Sequence, residues 1–241
     1  MNNAGCDGHS TYGHLRLVDQ YVSAIRPRVV LLLVGLNDVG REDLNAFEQG
    51  SLRTEGYAGE SLAHIVHRQV LRHCDVYALV DNLRRHGMAK SRGLTHQAGM
   101  GHAGFQSIRH AGLSDEERAR ILRADEGRCV ERYRQRLAEL VTQCRDLGIR
   151  VVLITQPALY GDGIDDARGI NLETVSVGNA DGWTQWRRLQ RYNQATTEIG
   201  RDLEVPVIAA AEKMPKSSRY YYDFTHYTIH ERGRRIPGHV A

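Results

Sequence analysis

Asp223 and His226 stand three residues apart in the stretch YYYDFTHYT, close enough for one short loop to hold both. A carboxylate so placed can accept a hydrogen bond from one imidazole nitrogen and leave the other as a base, which is two thirds of a Ser-His-Asp device. Two more short blocks carry groups suited to a developing negative oxygen. NNAGCDGHST at the start holds Gly5 and Gly8, and a glycine lets backbone N–H approach a ligand closely. GLND at 35–38 sets Asn37, a neutral amide donor, directly after an apolar run. Fixed donors aimed at such an oxygen are worth roughly 3–4 kcal/mol each. Taken singly, each block also has a structural reading: turn glycines, an Asn37-Asp38 helix cap, a structural Asp-His pair.

The elements that must position these groups are legible as an alternation. VVLLLVG at 29–35, RVVLITQP at 150–157 and VPVIAAA at 205–211 are continuous apolar runs, the pattern of parallel strands covered on both faces. Helices fall between them. Ser114 and Glu117 form a capping box, and Val130, Tyr133, Leu137, Leu140, Val141, Cys144 and Leu147 follow at helical spacing until Gly148. Others are expected from about Tyr12 to Ile25 and from about Trp183 to Leu203, with a last one beginning near His230. Strand, helix, strand, helix in this order implies a three-layer α/β fold with crossover connections. In such sheets functional groups collect at the carboxyl ends of the strands, where Gly8, Asn37 and the DFTH block all fall. Gln156, at the end of its strand, is a candidate substrate-binding residue there.

One stretch interrupts the alternation. Residues 41–112 read as an insertion within a single domain spanning 1–241, first helical and then rich in Gly and His, in the manner of a lid.

The three blocks in this order resemble the SGNH hydrolases, also called the GDSL esterase/lipase family, over nearly the whole chain. The resemblance implies an α/β/α sandwich with a parallel flavodoxin-like sheet. It also implies a serine esterase or acylhydrolase that cleaves a carboxylic ester through an acyl-enzyme without a cofactor. On matching positions Asn37 and the Gly8 N–H become oxyanion donors, Asp223 the orienting acid and His226 the base. The substrate implied is a small-molecule, carbohydrate or lipid ester.

One part of the family pattern is missing. The 241 residues contain no Gly-Asp-Ser, the block that supplies the family's nucleophile. The expectation is therefore a chain truncated at its N-terminus and lacking its first strand, central in the family's 2-1-3-4-5 order. The 29–35 strand would then stand at an apolar edge. Ser10, two residues past Gly8, suits a helix N-cap better than a nucleophile, and Cys6 lacks a base partner in the sequence. A non-catalytic ligand-binding protein with the same fold is the alternative function.

Other classes fit less well. With 32 basic and 29 acidic residues, net charge is +3, too little to draw in nucleic acid. No apolar run is long enough to span a bilayer. A nucleotide-binding reading of the N-terminal glycines lacks both the P-loop Lys and the G-x-G-x-x-G pattern. His64, His67, His86, His96, His102 and His110 have no metal-ligand spacing, and Asp162, Asp165 and Asp166 read as a turn, so no metal is expected. Cys129 and Cys144 on one helix would lie about 22 Å apart, which excludes a disulfide between them.

Overall fold

The computed structural model describes residues 8–42, 105 and 108–227, together with isolated positions between 70 and 84. The chain divides into two compact units, residues 1–44 with 100–241, and residues 45–99. In the second unit Val70, Val76, Tyr77, Leu79, Val80, Leu83 and Arg84 are helical. They fall in the helix expected for the first half of the insertion. Most of the Gly/His-rich half, the N-terminal Asn3, Gly5 and Cys6, and the helix expected near His230 lie outside the described residues.

The first unit is α/β. Its parallel sheet has the order β1-β2-β5, with β1 at Val29–Leu33, β2 at Arg150–Ile154 and β5 at Val207–Ile208. Val29 pairs with Arg150 and Leu33 with Ile154, so β1 and β2 end level with one another. A short antiparallel pair, β3 (Ser176–Val177) and β4 (Ala180–Asp181), stands apart from this sheet. β5 is much shorter than the apolar run around it. Pro206 has no N–H to add to the ladder, and the chain turns into helix α5 at Ala210–Lys213.

Helix α1 (Thr11–Leu17) runs on through a π turn, Val18–Val22, to Ile25. The capping box forms as expected, the Glu117 N–H bonding Ser114 Oγ and the Ser114 N–H bonding Glu117 Oε2. The helix it opens is broken at Gly127 into α2 (Asp115–Glu126) and α3 (Arg128–Asp146). Helix α4 (Gly182–Asp202) begins at Asp181, whose carboxylate accepts from the Thr184 N–H at 2.8 Å. Tyr133, Leu137, Leu140, Val141 and Cys144 of α3 and Tyr192 and Ala195 of α4 pack with Leu32, Val34, Val151 and Leu153 in the main core. Cys129 and Cys144 are buried free thiols on α3.

The sheet is asymmetric in its covering. Val30, Leu32, Val151, Leu153 and Val207 share the face under these helices. On the opposite face Val29, Leu31 and Leu33 are 39%, 50% and 40% exposed, and Ile208 is 46% exposed. The unbroken apolar run predicts burial on both sides of β1, whereas the described residues cover one. Among those residues β1 is an edge strand.

Candidate active site

The D-x-x-H block is the tip of a small hairpin. Tyr221 and Tyr227 bridge in antiparallel fashion, and the Tyr222 N–H bonds the His226 carbonyl at 3.1 Å. Inside the tip, Asp223 Oδ1 accepts from the backbone N–H groups of Thr225 and His226, each at 2.7 Å. The other oxygen, Oδ2, lies 2.7 Å from His226 Nδ1. Burial would raise the Asp223 carboxyl, but these donors outweigh it and hold the group below the usual carboxylate range. A carboxylate only accepts hydrogen bonds, so Nδ1 carries the proton and Nε2 is the basic nitrogen. The Tyr222 ring stacks parallel to the imidazole, 5.3 Å between centroids. The histidine stays accessible, its side chain 46% exposed.

This hairpin is docked on the chain leaving β2. The Leu159 N–H bonds the Phe224 carbonyl at 3.0 Å. Gln156 Nε2 donates to the Tyr227 hydroxyl at 2.7 Å, and that hydroxyl donates to the Pro157 carbonyl at 3.2 Å. Asn193 of α4 clamps Gln156 by both backbone groups, at 2.7 and 3.0 Å. Gln156 is buried, and its amide is engaged by the residue next to His226. In this geometry it supports the loop, where its place at a strand end pointed to the pocket wall. Beyond it, Lys216 Nζ caps the Ala158 and Tyr160 carbonyls and lies 3.5 Å from the Trp186 ring centroid. Burial lowers the Lys216 ammonium to about 8, with Arg187 adding to the shift and Asp162 opposing it.

The G-x-N-D block forms a tight turn after β1. Gly35 sits at φ 119°, a conformation open to glycine, and Leu36–Asp38 make one 3-10 turn. Asn37 Nδ2 donates to the His9 carbonyl at 3.0 Å, next to Gly8, itself at φ 78°. Both Asp38 oxygens accept the Thr11 N–H at 3.1 Å, and Oδ1 also receives the Thr11 hydroxyl and Arg136. Burial pushes the Asp38 carboxyl up against the pull of Thr11 and Arg136. Farther along, the Gly40 N–H bonds the Tyr192 hydroxyl, which donates to Asp125, and Asp125 pairs with Arg188. Ser10 is wholly buried and caps α1 by accepting from the Tyr12 N–H at 3.3 Å.

The two turns converge on one apolar cluster. Leu36 from the first and Phe224 from the second both pack against the cluster formed by Ala158, Tyr160, Val175, Trp186 and Leu189. Of the residues singled out from sequence, Gly8, Asn37, Gln156, Asp223 and His226 lie in one unit, Gly8 and Asn37 on turns joined at the His9 carbonyl, Gln156 joined to the Asp223–His226 loop through Tyr227. Asp165 is buried and accepts from the Ala167 and Ser218 N–H groups, as a turn residue does. His110 meets Thr174 Oγ1 at 2.8 Å. Among the described residues no group of His, Cys, Asp and Glu could hold a metal, and no helix is long and apolar enough to cross a membrane. Sequence reasoning missed Thr11, Asp38 and Arg136 as a buried set. The available signal was Arg136 itself, one residue before Leu137 and three after Tyr133 on the apolar stripe of α3, where an arginine needs a partner.

The model of the GDSL-like lipase/acylhydrolase family matches residues 1–231. No curated protein and no solved structure matches the chain. The family's activity is hydrolysis of esters, consistent with an Asp-oriented histidine on a loop beside the strand ends. By this match, extending over nearly its whole length, the chain belongs to the GDSL-like lipase/acylhydrolase family.

Proposed function

We propose that this protein is a serine-type esterase in which His226 is the general base and Asp223 fixes its tautomer. The observation that carries the reading is the 2.7 Å contact between Asp223 Oδ2 and His226 Nδ1 in a loop whose own N–H groups immobilise the carboxylate. Nε2 takes the proton of the attacking hydroxyl as its oxygen bonds to the acyl carbon, and returns it to the departing alkoxide. A water molecule repeats the sequence on the acyl-enzyme and releases the acid. Gly8 N–H and Asn37 are the donors to the tetrahedral oxyanion. Asn37 spends one amide hydrogen on the His9 carbonyl and keeps a second for substrate. Gln156 acts through the loop, by holding Tyr227.

In the family the attacking hydroxyl is that of the serine in a Gly-Asp-Ser block, and no Gly-Asp-Ser occurs in the 241 residues. Ser10 is not assigned this part, because its hydroxyl is buried at a helix cap. The burial of Ser10 at its cap is compatible with one other reading, a protein that binds an ester or its product acid without turnover. Protein expressed from its full reading frame and incubated with p-nitrophenyl acetate separates the two. Steady nitrophenolate release supports the esterase. Saturable binding of the ester or of acetate, with no release from folded protein, supports the binding protein.

A further inference from the structure

We infer that Arg136, with Thr11 and Asp38, is a positioning group that sets the two oxyanion donors against one another; the inference rests on the proposed roles of Gly8 and Asn37. The two donors come from segments 29 residues apart in sequence, Gly8 in a turn and Asn37 in a single 3-10 turn, and no sheet ladder or long helix joins them. Something must fix their spacing, because an oxyanion pocket works only when its donors are already aimed. The direct link is the bond from Asn37 Nδ2 to the His9 carbonyl at 3.0 Å.

Immediately beside it lies a denser set of contacts. Thr11, three residues after Gly8, gives its N–H to both oxygens of Asp38 at 3.1 Å and its hydroxyl to Oδ1 at 2.5 Å. Asp38 is the residue after Asn37. Arg136 closes the set from helix α3, Nε donating to Thr11 Oγ1 at 2.7 Å and a terminal nitrogen to Asp38 Oδ1 at 3.1 Å. Its guanidinium lies over the Tyr12 ring, 3.8 Å from the centroid, and the Tyr12 hydroxyl bonds the Glu42 carbonyl at 2.6 Å. Thr11, Asp38 and Arg136 are all buried, at 0%, 1% and 6% exposure. A hydroxyl that accepts from arginine while donating to aspartate has one orientation open to it. A planar guanidinium bridging two partners cannot be mimicked by the point charge of lysine. The set therefore locks the start of α1 to the turn after β1, and the helix that carries Arg136 is itself anchored in the main core by Tyr133, Leu137, Leu140, Val141 and Cys144.

The test is solution NMR of the backbone amide of Gly8 and the side-chain amide of Asn37, first without ligand and then with methylphosphonate as a tetrahedral oxyanion probe. Arg136→Met and Thr11→Val are expected to move both signals and weaken methylphosphonate at least tenfold, while Thr11→Ser restores both. Leu140→Ala, a cavity one turn along the same helix that removes none of the set's hydrogen bonds, is expected to lower the melting temperature with both signals and the affinity unchanged. Unmoved signals and wild-type affinity in folded Arg136→Met and Thr11→Val overturn the inference. Equal loss in Leu140→Ala overturns it too, since the set would then contribute only stability. If methylphosphonate moves neither signal in the wild type, the oxyanion reading falls. That failure is distinct, because the ligand-free comparison of variants still reads whether the set fixes the two groups.

Discussion

Asp223 and His226 are separated by Phe224 and Thr225, and each does a separate job. Phe224 anchors the loop in the cluster shared with Leu36, and Thr225 turns its N–H back onto the carboxylate. The pair was legible in sequence because the contacts that join Asp223 to His226 and Thr225 lie within three residues. Asp38 and Arg136 were not, because their partners lie 27 and 98 residues away and only the packed fold brings them together. Asp223→Asn should present an amide to Nδ1 and favour the wrong tautomer, lowering kcat for ester hydrolysis on the order of 10³–10⁴-fold. Because its folded-state pKa is depressed, Asp223 adds stability above the unfolded value near 3.8 and loses it as pH falls through the lower folded value. Urea midpoints between pH 5 and pH 2 should therefore drop more steeply for the wild type than for Asp223→Asn. Lys216 shows the opposite case. Its folded pKa of about 8 lies below the ordinary 10.5, so between these values the unfolded chain holds a proton that the folded chain has released. Stability from this group rises with pH across that window, and the wild type should gain on Lys216→Met between pH 8 and pH 10.5 in urea titrations.

Among the elements, periodicity located helices and strands well and their ends poorly. The run from Ser114 to Leu147 hid the break at Gly127, since the apolar spacing continues on either side of it. VPVIAAA looked like a full strand, yet Pro206 and the turn into α5 leave two residues paired. Gly200, in the last turns of α4, had no reason visible in sequence. A glycine inside a helix costs about 1 kcal/mol relative to alanine, so a close contact is the expected explanation. A side chain there would run into Val207 of β5 and the Val205 carbonyl. Gly200→Ala should accordingly destabilise the protein by about 1–3 kcal/mol in urea unfolding despite its better helix propensity. If stability rises instead, α4 does not depend on that close approach to β5.

For the molecule as a whole, the class of fold was carried by three apolar runs and the helices between them, but the covering of the sheet was not. Continuous hydrophobicity in VVLLLVG says the strand tolerates burial on both sides and cannot say which side is covered. The described residues put α3 and α4 on the face of Leu32 and leave Leu31 half exposed. Leu32→Ala should cost about 2–5 kcal/mol, as other core truncations do. Leu31→Glu should change stability by no more than about 0.5 kcal/mol and reduce self-association, because it places a charge on an apolar edge strand. Equal destabilisation by both substitutions in thermal unfolding would show that the second face is covered as well.

In the proposed function His226, oriented by Asp223, is the base of an ester hydrolase. The most direct test of that role is the initial rate of p-nitrophenyl acetate hydrolysis by the protein expressed from its full reading frame, compared with His226→Ala shown to be folded by circular dichroism. A fall in kcat/KM on the order of 10²–10⁴-fold is expected for the variant. Turnover that survives the loss of His226, or a folded wild type that releases no nitrophenolate, would contradict it.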